Sequence, residues 1–206
     1  MTDTITRTHF ARHRDEFNEN GIIKSNSFRE IVKPTPEQIV ERVFRIPWNW
    51  INKEIYDADI LPDRIVNQKM RLFDLLDNGR EVGYVIAVDP EIEIRRTFLK
   101  AMACSNPVEI ENIALFPKQT GKGRGRSFLN LIEKKLFSDG HDVVYLNTSE
   151  TNFPMLPDFY NRVGMTCLGE DEVADFNKRQ RAQILKLPPR RAEQPRTTGA
   201  LISQLT

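Results

Sequence analysis

Residues 108–137, VEIENIALFPKQTGKGRGRSFLNLIEKKLF, set three glycines at alternate positions between two apolar patterns of different period. Val108 to Phe116 reads as a strand. Phe128, Leu129, Leu131, Ile132, Leu136 and Phe137 recur at helical spacing, and Asp139-Gly140 closes that helix. A glycine inside a helix costs about 1 kcal/mol relative to alanine, so Gly121, Gly123 and Gly125 are expected in a turn that needs a bare backbone. A strand, a glycine turn and a helix start aim free N–H groups and the positive end of a helix dipole at one spot, which suits an anion.

The spacing excludes two common anion cradles. A Walker A loop needs G-x-x-x-x-G-K-[ST], yet Arg126 stands five residues after Gly121. A dinucleotide fingerprint needs a third glycine where Arg126 again stands, and it needs an early βαβ unit. Lys118, Lys122, Arg124 and Arg126 also fit a small arginine-glycine patch, but they lack interleaved aromatics. The chain carries 30 Lys plus Arg against 29 Asp plus Glu, a formal net charge of +1. Nucleic acid is therefore not an expected partner. A solvated flexible loop remains the plain alternative.

With 206 residues the chain suffices for one well-buried domain and is short for two. Residues 1–34 are polar and weakly periodic and read as an N-terminal extension with one short helix at most. Thr35-Pro36-Glu37-Gln38 reads as a helix start with a capping box. Pro47 ends that helix, and a second is expected from PWNWINKEIYDADI, with Trp48 and Trp50 at its entrance. Strands at 71–76 and 82–88 flank Asn78-Gly79, a hairpin signal. PEIEIRRTFLKAMACSNP reads as a helix, HDVVYLNTS as a buried strand, and FPMLPDFYNRVGM as a short helix. TCLGEDEV and AQILKLP are expected as the last two strands, and residues 189–206 as a disordered tail. Only Cys104 and Cys167 are present, and no apolar run reaches the length of a membrane span. A cytoplasmic setting with no membrane partner is expected, and with His9, His13 and His141 scattered, no metal site.

ALFPKQTGKGRGRSFL resembles the acetyl-CoA signature of the GNAT superfamily of N-acetyltransferases, written [QR]-x-x-G-x-[GA]. Gly123-Arg124-Gly125 match its small positions, while Thr120 stands where the family has Gln or Arg. DFYNRVGM, with Tyr160 four residues before Gly164, is similar to the later Y-x-x-x-G-F motif, Met165 replacing Phe. The resemblance spans residues 35–188 and implies a mixed α/β (α+β) fold. It has a mostly antiparallel central sheet flanked by helices, with two strands splayed at an acetyl-CoA cleft.

The resemblance further implies how the cosubstrate is held. Ala114, Leu115 and Phe116 line the splayed strand, and Thr120, Gly121, Lys122, Gly123, Arg124, Gly125 and Arg126 wrap the pyrophosphate. Asn152 contacts pantetheine, with Asn147 and Thr148 as weaker candidates. Acyl transfer to an amine needs a base, and Glu109 and Glu111 share a strand face. Glu109 is favoured because it precedes Gly123 by the spacing of the family's catalytic glutamate. Its proton affinity is expected to rise beside Ile113 and Leu115. Tyr160 occupies the position of the family's thiolate protonator. Glu170, Asp171, Glu172 and Asp175, in a loop, could draw a cationic acceptor such as a polyamine, an aminoglycoside or a lysine-bearing protein. A non-catalytic acyl-CoA-binding module is the alternative function, and oligomeric state is not legible.

Overall fold

The computed structural model describes residues 4–46, 56, 59–149 and 154–174 of the chain. Seven strands form one sheet in the order β2-β3-β4-β5-β6-β1-β7. They are β1 Thr4–His13, β2 Asn26–Ile31, β3 Arg71–Asp77, β4 Arg80–Val88, β5 Pro107–Leu115, β6 Val143–Ser149 and β7 Thr166–Ala174. Neighbours are antiparallel except β5 and β6, which run parallel. The α-helices among the described residues are α1 Pro36–Phe44, α2 Leu61–Asn67, α3 Ile92–Thr97, α4 Arg124–Ser138 and α5 Leu156–Arg162.

Local chemistry accounts for several of these boundaries. At the start of α1 the Thr35 hydroxyl accepts from Gln38 N at 3.4 Å, while Thr35 N donates to Gln38 Oε1 at 2.9 Å. Two otherwise orphaned donors are thereby satisfied. Asn78 and Gly79, with φ of 49° and 75°, turn β3 into β4 as a tight hairpin demands. Gly83 of β4 could be no other residue without the strands parting, because a Cβ there would lie 2.2 Å from the Ala114 carbonyl oxygen of β5.

Both faces of the sheet are covered. On one, α4 and α5 bury Phe128, Leu129, Ile132, Leu136 and Tyr160 against Phe10, Phe73, Val85, Val108 and Ile110. On the other, Ile39 and Val43 of α1 and Leu61 of α2 meet Leu72, Tyr84 and Ile86. Farther along that face, Ile94 and Leu99 cover Ala11, Val143 and Tyr145. Removing this much apolar surface from water supplies the main drive to fold.

Two expectations are corrected here. Residues 4–13 and 26–31 are not an extension: β1 lies inside the sheet between β6 and β7, and β2 forms the opposite edge. His9, Phe10 and Ala11 are fully buried and Arg12 nearly so, with His9 Nδ1 against the Tyr145 hydroxyl and Arg12 donating to Glu133. The helix expected from PEIEIRRTFLKAMACSNP is broken into α3 and a 3-10 turn at Leu99–Met102, followed by Ala103 in the left-handed region. The helix expected around Trp48 and Trp50, the strand AQILKLP and the 189–206 tail lie outside the described residues.

Candidate active site

β5 and β6 pair only at Pro107↔Val143, Val108↔Val144 and Glu109↔Tyr145. Beyond Glu109, β5 continues to Leu115 along β4, and β6 continues to Ser149 along β1. Their facing edges therefore part into a wedge whose apex is the Glu109–Tyr145 pair. Backbone groups on those edges have no ladder partner across the wedge, which suits an extended ligand that bonds to main chain.

The glycine turn leaves the open end of the wedge. Phe116 N donates to Val82 O at 2.8 Å, Gln119 N to Phe116 O at 2.9 Å, and Arg124 N to Gly121 O at 3.1 Å, which ties the turn main chain to main chain. Gly121, Lys122 and Gly123 all have positive φ, of 89°, 54° and 74°. A Cβ added at Gly121 or Gly123 would meet nothing within 4 Å, so main chain faces open space there. At Gly125 a Cβ would lie 3.7 Å from the Phe159 ring.

The basic side chains of the turn divide. Arg124 is committed to the fold: it donates to Asp77 Oδ2 at 2.6 Å and to Gln119 O at 3.4 Å. Arg126 lies along Gly21, whose notional Cβ would be 3.1 Å from its Nε. Thr120 and Lys122 are exposed. Ala114 faces the α1 and α2 side, and the buried Phe116 ring packs near Tyr84 under the Arg45 guanidinium, 3.5 Å away. Asn152, Trp48, Trp50 and Asp175 lie outside the described residues.

Beneath the turn is an apolar cavity of about 200 Å³, walled by Ile113, Leu115, Gly125, Phe128, Phe159 and Tyr160 among others. Tyr160 packs against Phe10 and Phe159, with ring centroids 5.4 and 5.3 Å away. Burial raises its pKa and so keeps the phenol protonated.

Glu109 and Glu111 have unlike surroundings. The register shift between Ile86 and Ala87 makes Glu111 the extra residue of a bulge, since Ile86 faces Asn112 and Ala87 faces Ile110. A bulge reverses the alternation beyond it. Ile113 and Leu115 consequently join Val108 and Ile110 on the α4 side, and the expected packing of Glu109 beside them is corrected. Glu109 faces the other way, 6% exposed, with Asn147 Nδ2 donating to its Oε1 at 3.2 Å. Burial, with lesser repulsion from Glu111 and Glu91, pushes its pKa up to about 8 against the pull of Arg7 and Arg64. Glu111 is paired instead, accepting from the Tyr56 hydroxyl at 2.6 Å and from Arg64.

Glu170, Asp171 and Glu172 are not in a loop but within β7. Asp171 accepts from Arg7 at 3.0 and 2.6 Å, which holds its carboxyl below the usual range. Arg7, His9 and Tyr145, none singled out from the sequence, gather beside Asp171 on the face of Glu109. The signal that could have found them is the alternation of TITRTHFARH, which sets Arg7, His9 and Ala11 on one side. Among the described residues, no helix is long and apolar enough to cross a membrane. No three His, Cys, Asp or Glu among them are grouped to hold a metal ion.

Comparison with known proteins follows the same lines. No curated protein sequence matches the chain. Solved structures of similar fold include a GCN5-related N-acetyltransferase from Sphaerobacter thermophilus, 14% identical with a TM-score of 0.56, covering 82% of this chain and 50% of that one. A functionally unknown conserved protein from Staphylococcus epidermidis is 11% identical with a TM-score of 0.56, at 82% and 60% coverage. A tandem GNAT protein from the clavulanic acid biosynthesis pathway is 13% identical with a TM-score of 0.53, at 84% and 54%. The chain thus spans 50 to 60% of the length of these three structures. The family model for the acetyltransferase (GNAT) family matches residues 29–165, and with more than half of its length so matched, the chain belongs to that family.

Proposed function

We propose that the chain is an acetyl-CoA-dependent N-acetyltransferase acting on a primary amine of a small molecule or a protein. The parting of β5 from β6 just past Glu109 carries the reading. It makes one channel with a bare glycine turn at its open end and a buried carboxyl at its apex. The residues fit the cosubstrate. Open space over Gly121 and Gly123 leaves room for a diphosphate against main-chain N–H groups at the start of α4. The apolar cavity by Phe159 and Tyr160 suits a pantetheine arm.

When bound, acetyl-CoA supplies a thioester activated toward attack by a neutral amine. Glu109 takes the proton from the acceptor ammonium. With a pKa near 8 it is roughly a thousandfold stronger base than an ordinary carboxylate, and its pKa lies near the working pH. Glu111 is held by Arg64 and Tyr56 and leaves Glu109 as the carboxyl without a cation on it. Main-chain N–H groups on the free edge of β5 face the reacting carbonyl. The Tyr160 hydroxyl holds a proton for the departing sulfur. A reducing, cytoplasmic setting belongs to the same proposal, with Cys104 and Cys167 as free thiols.

Calorimetry with acetyl-CoA, followed by release of free thiol on adding a panel of amines, tests the reading. Binding with thiol release is expected, and Glu109→Gln should lower turnover by about 10²-fold or more with acetyl-CoA affinity nearly unchanged. In the wild type, turnover should rise as pH approaches 8, because Glu109 must lose its proton to act. No binding of acetyl-CoA would sink the proposal. Binding without thiol release from any amine would make the chain an acyl-CoA-binding module.

A further inference from the structure

Past the apex of the wedge, the face that carries Glu109 continues over β6 and β1 to Asp171 of β7. The registers fix the order along it: Glu109 opposite Tyr145, His9 opposite Asn147, and Arg7 opposite both Ser149 and Asp171. Arg7 therefore stands four residues along β6 from the Glu109–Tyr145 pair, about 13 Å toward the open end at the rise of a strand. Both side chains are long, and each head group feels the charge of the other.

Arg7 is held from one side only. Its Nε and Nη2 donate to the two Asp171 oxygens at 3.0 and 2.6 Å, a fork that fixes the guanidinium plane. A guanidinium has five N–H donors, so three remain, both on Nη1 and the second on Nη2, and none of the described residues takes them. The Arg7 side chain is 29% exposed, which puts the pair at an opening and not in the core. Ser149, across the strand pair from Arg7, has a hydroxyl shut off from solvent and without a hydrogen-bond partner. Neighbouring donors left unused suit one ligand acceptor.

The charges nearby decide what that ligand group is. Glu111 is taken up by Arg64 and Tyr56, and Asp171 by Arg7. Glu170 and Glu172 alternate to the other face of β7. The acidic run is thus no single patch for a polyamine, and what this face leaves unused at Arg7 and Ser149 is donors. We infer that the free edge of Arg7 and the Ser149 hydroxyl bind a carboxylate of the acceptor, so that the substrate is an amino acid whose amine lies at Glu109. This rests on the reading of Glu109 as the base of an N-acetyltransferase. Asp171 holds the guanidinium in place before the acceptor arrives, which lowers the cost of binding. It also neutralises Arg7, so the preference comes from paired hydrogen bonds more than from net attraction. Nη1 and Nη2 meet a carboxylate as a planar fork, which a lysine does not offer.

Thiol release from acetyl-CoA can be read with a panel of amino acids of increasing length between amine and carboxylate, each beside its own primary carboxamide. At least one amino acid is expected to exceed its carboxamide in kcat/KM by about 10-fold or more. Arg7→Lys, which keeps the charge, should bring that ratio close to one. Ser149→Ala, which leaves the Arg7–Asp171 pair intact, should lower it by about 3- to 10-fold. Acetyl-CoA binding by calorimetry shows that each variant is folded. Carboxamides used as well as the amino acids, or a ratio untouched by Arg7→Lys, overturn the inference. If no amine releases thiol, the proposed function falls, and calorimetry of the same amino acids on CoA-saturated protein decides the carboxylate site by itself. Binding that Arg7→Lys weakens upholds the site; no binding, or equal binding in the variant, overturns it.

Discussion

At 6% exposure Glu109 sets proton affinity against stability. Its carboxyl binds a proton with a pKa of about 8 in the folded chain and near the ordinary glutamate value, about 4.3, when unfolded. Between those values the native state holds more protons than the unfolded state, so stability falls as pH rises from about 4.5 to about 8. Glutamine has the shape of the protonated acid and no such slope. Glu109→Gln should match the wild type in urea denaturation at pH 5 and exceed it by roughly 2–4 kcal/mol at pH 8.5. A carboxyl so buried is thus held at the expense of stability. Equal stabilities at both pH values would mean that the carboxyl is solvated, and the general-base role would lose its footing.

Helix α4 is preceded at its N-cap by Gly123, whose φ of 74° costs a side chain about 1–2 kcal/mol. Gly123→Glu adds that strain and puts a negative charge where the reading has a diphosphate. Gly123→Ala adds the strain alone. Calorimetry should show acetyl-CoA affinity falling by about 100-fold or more in the glutamate variant, and by clearly less in the alanine variant. Equal losses would mean that no anion sits at this corner. The turn was legible in the sequence because its signal is local, as were the Thr35 box and the Asn78-Gly79 hairpin. Strand β1 was not. Arg7 finds Asp171, 164 positions on, and Arg12 finds Glu133, 121 positions on, so a segment that reads as solvated is neutralised inside the sheet. The partners of Glu111 are as remote, since Arg64 and Tyr56 approach from 47 and 55 positions away. No sequence pattern marks the bulge that turns Ile113 and Leu115 away from Glu109.

Across the whole molecule, one buried ion pair joins the first strand to α4, beside α5. Arg12 of β1 donates to Glu133 Oε2 of α4 at 2.6 Å and to Asn130 Oδ1 at 3.4 Å, and also to the Val163 carbonyl just after α5. Both members of the pair are almost fully buried, and burial pushes the Glu133 pKa up to about 7 against the pull of Arg12. Removing one partner leaves an uncompensated charge in the interior, whereas replacing both by apolar groups removes both desolvation penalties. Arg12→Met and Glu133→Leu should each cost about 3–5 kcal/mol in urea denaturation. The double variant should recover most of that loss, to within about 2 kcal/mol of the wild type. What it should not recover is the seating of β1 against α4 and α5. If the pair fixes that seating, acetyl-CoA affinity in the double variant stays below wild type even where stability has returned. Additive losses in stability would show that Arg12 and Glu133 act independently, and that the rest of β1 holds its place without the pair.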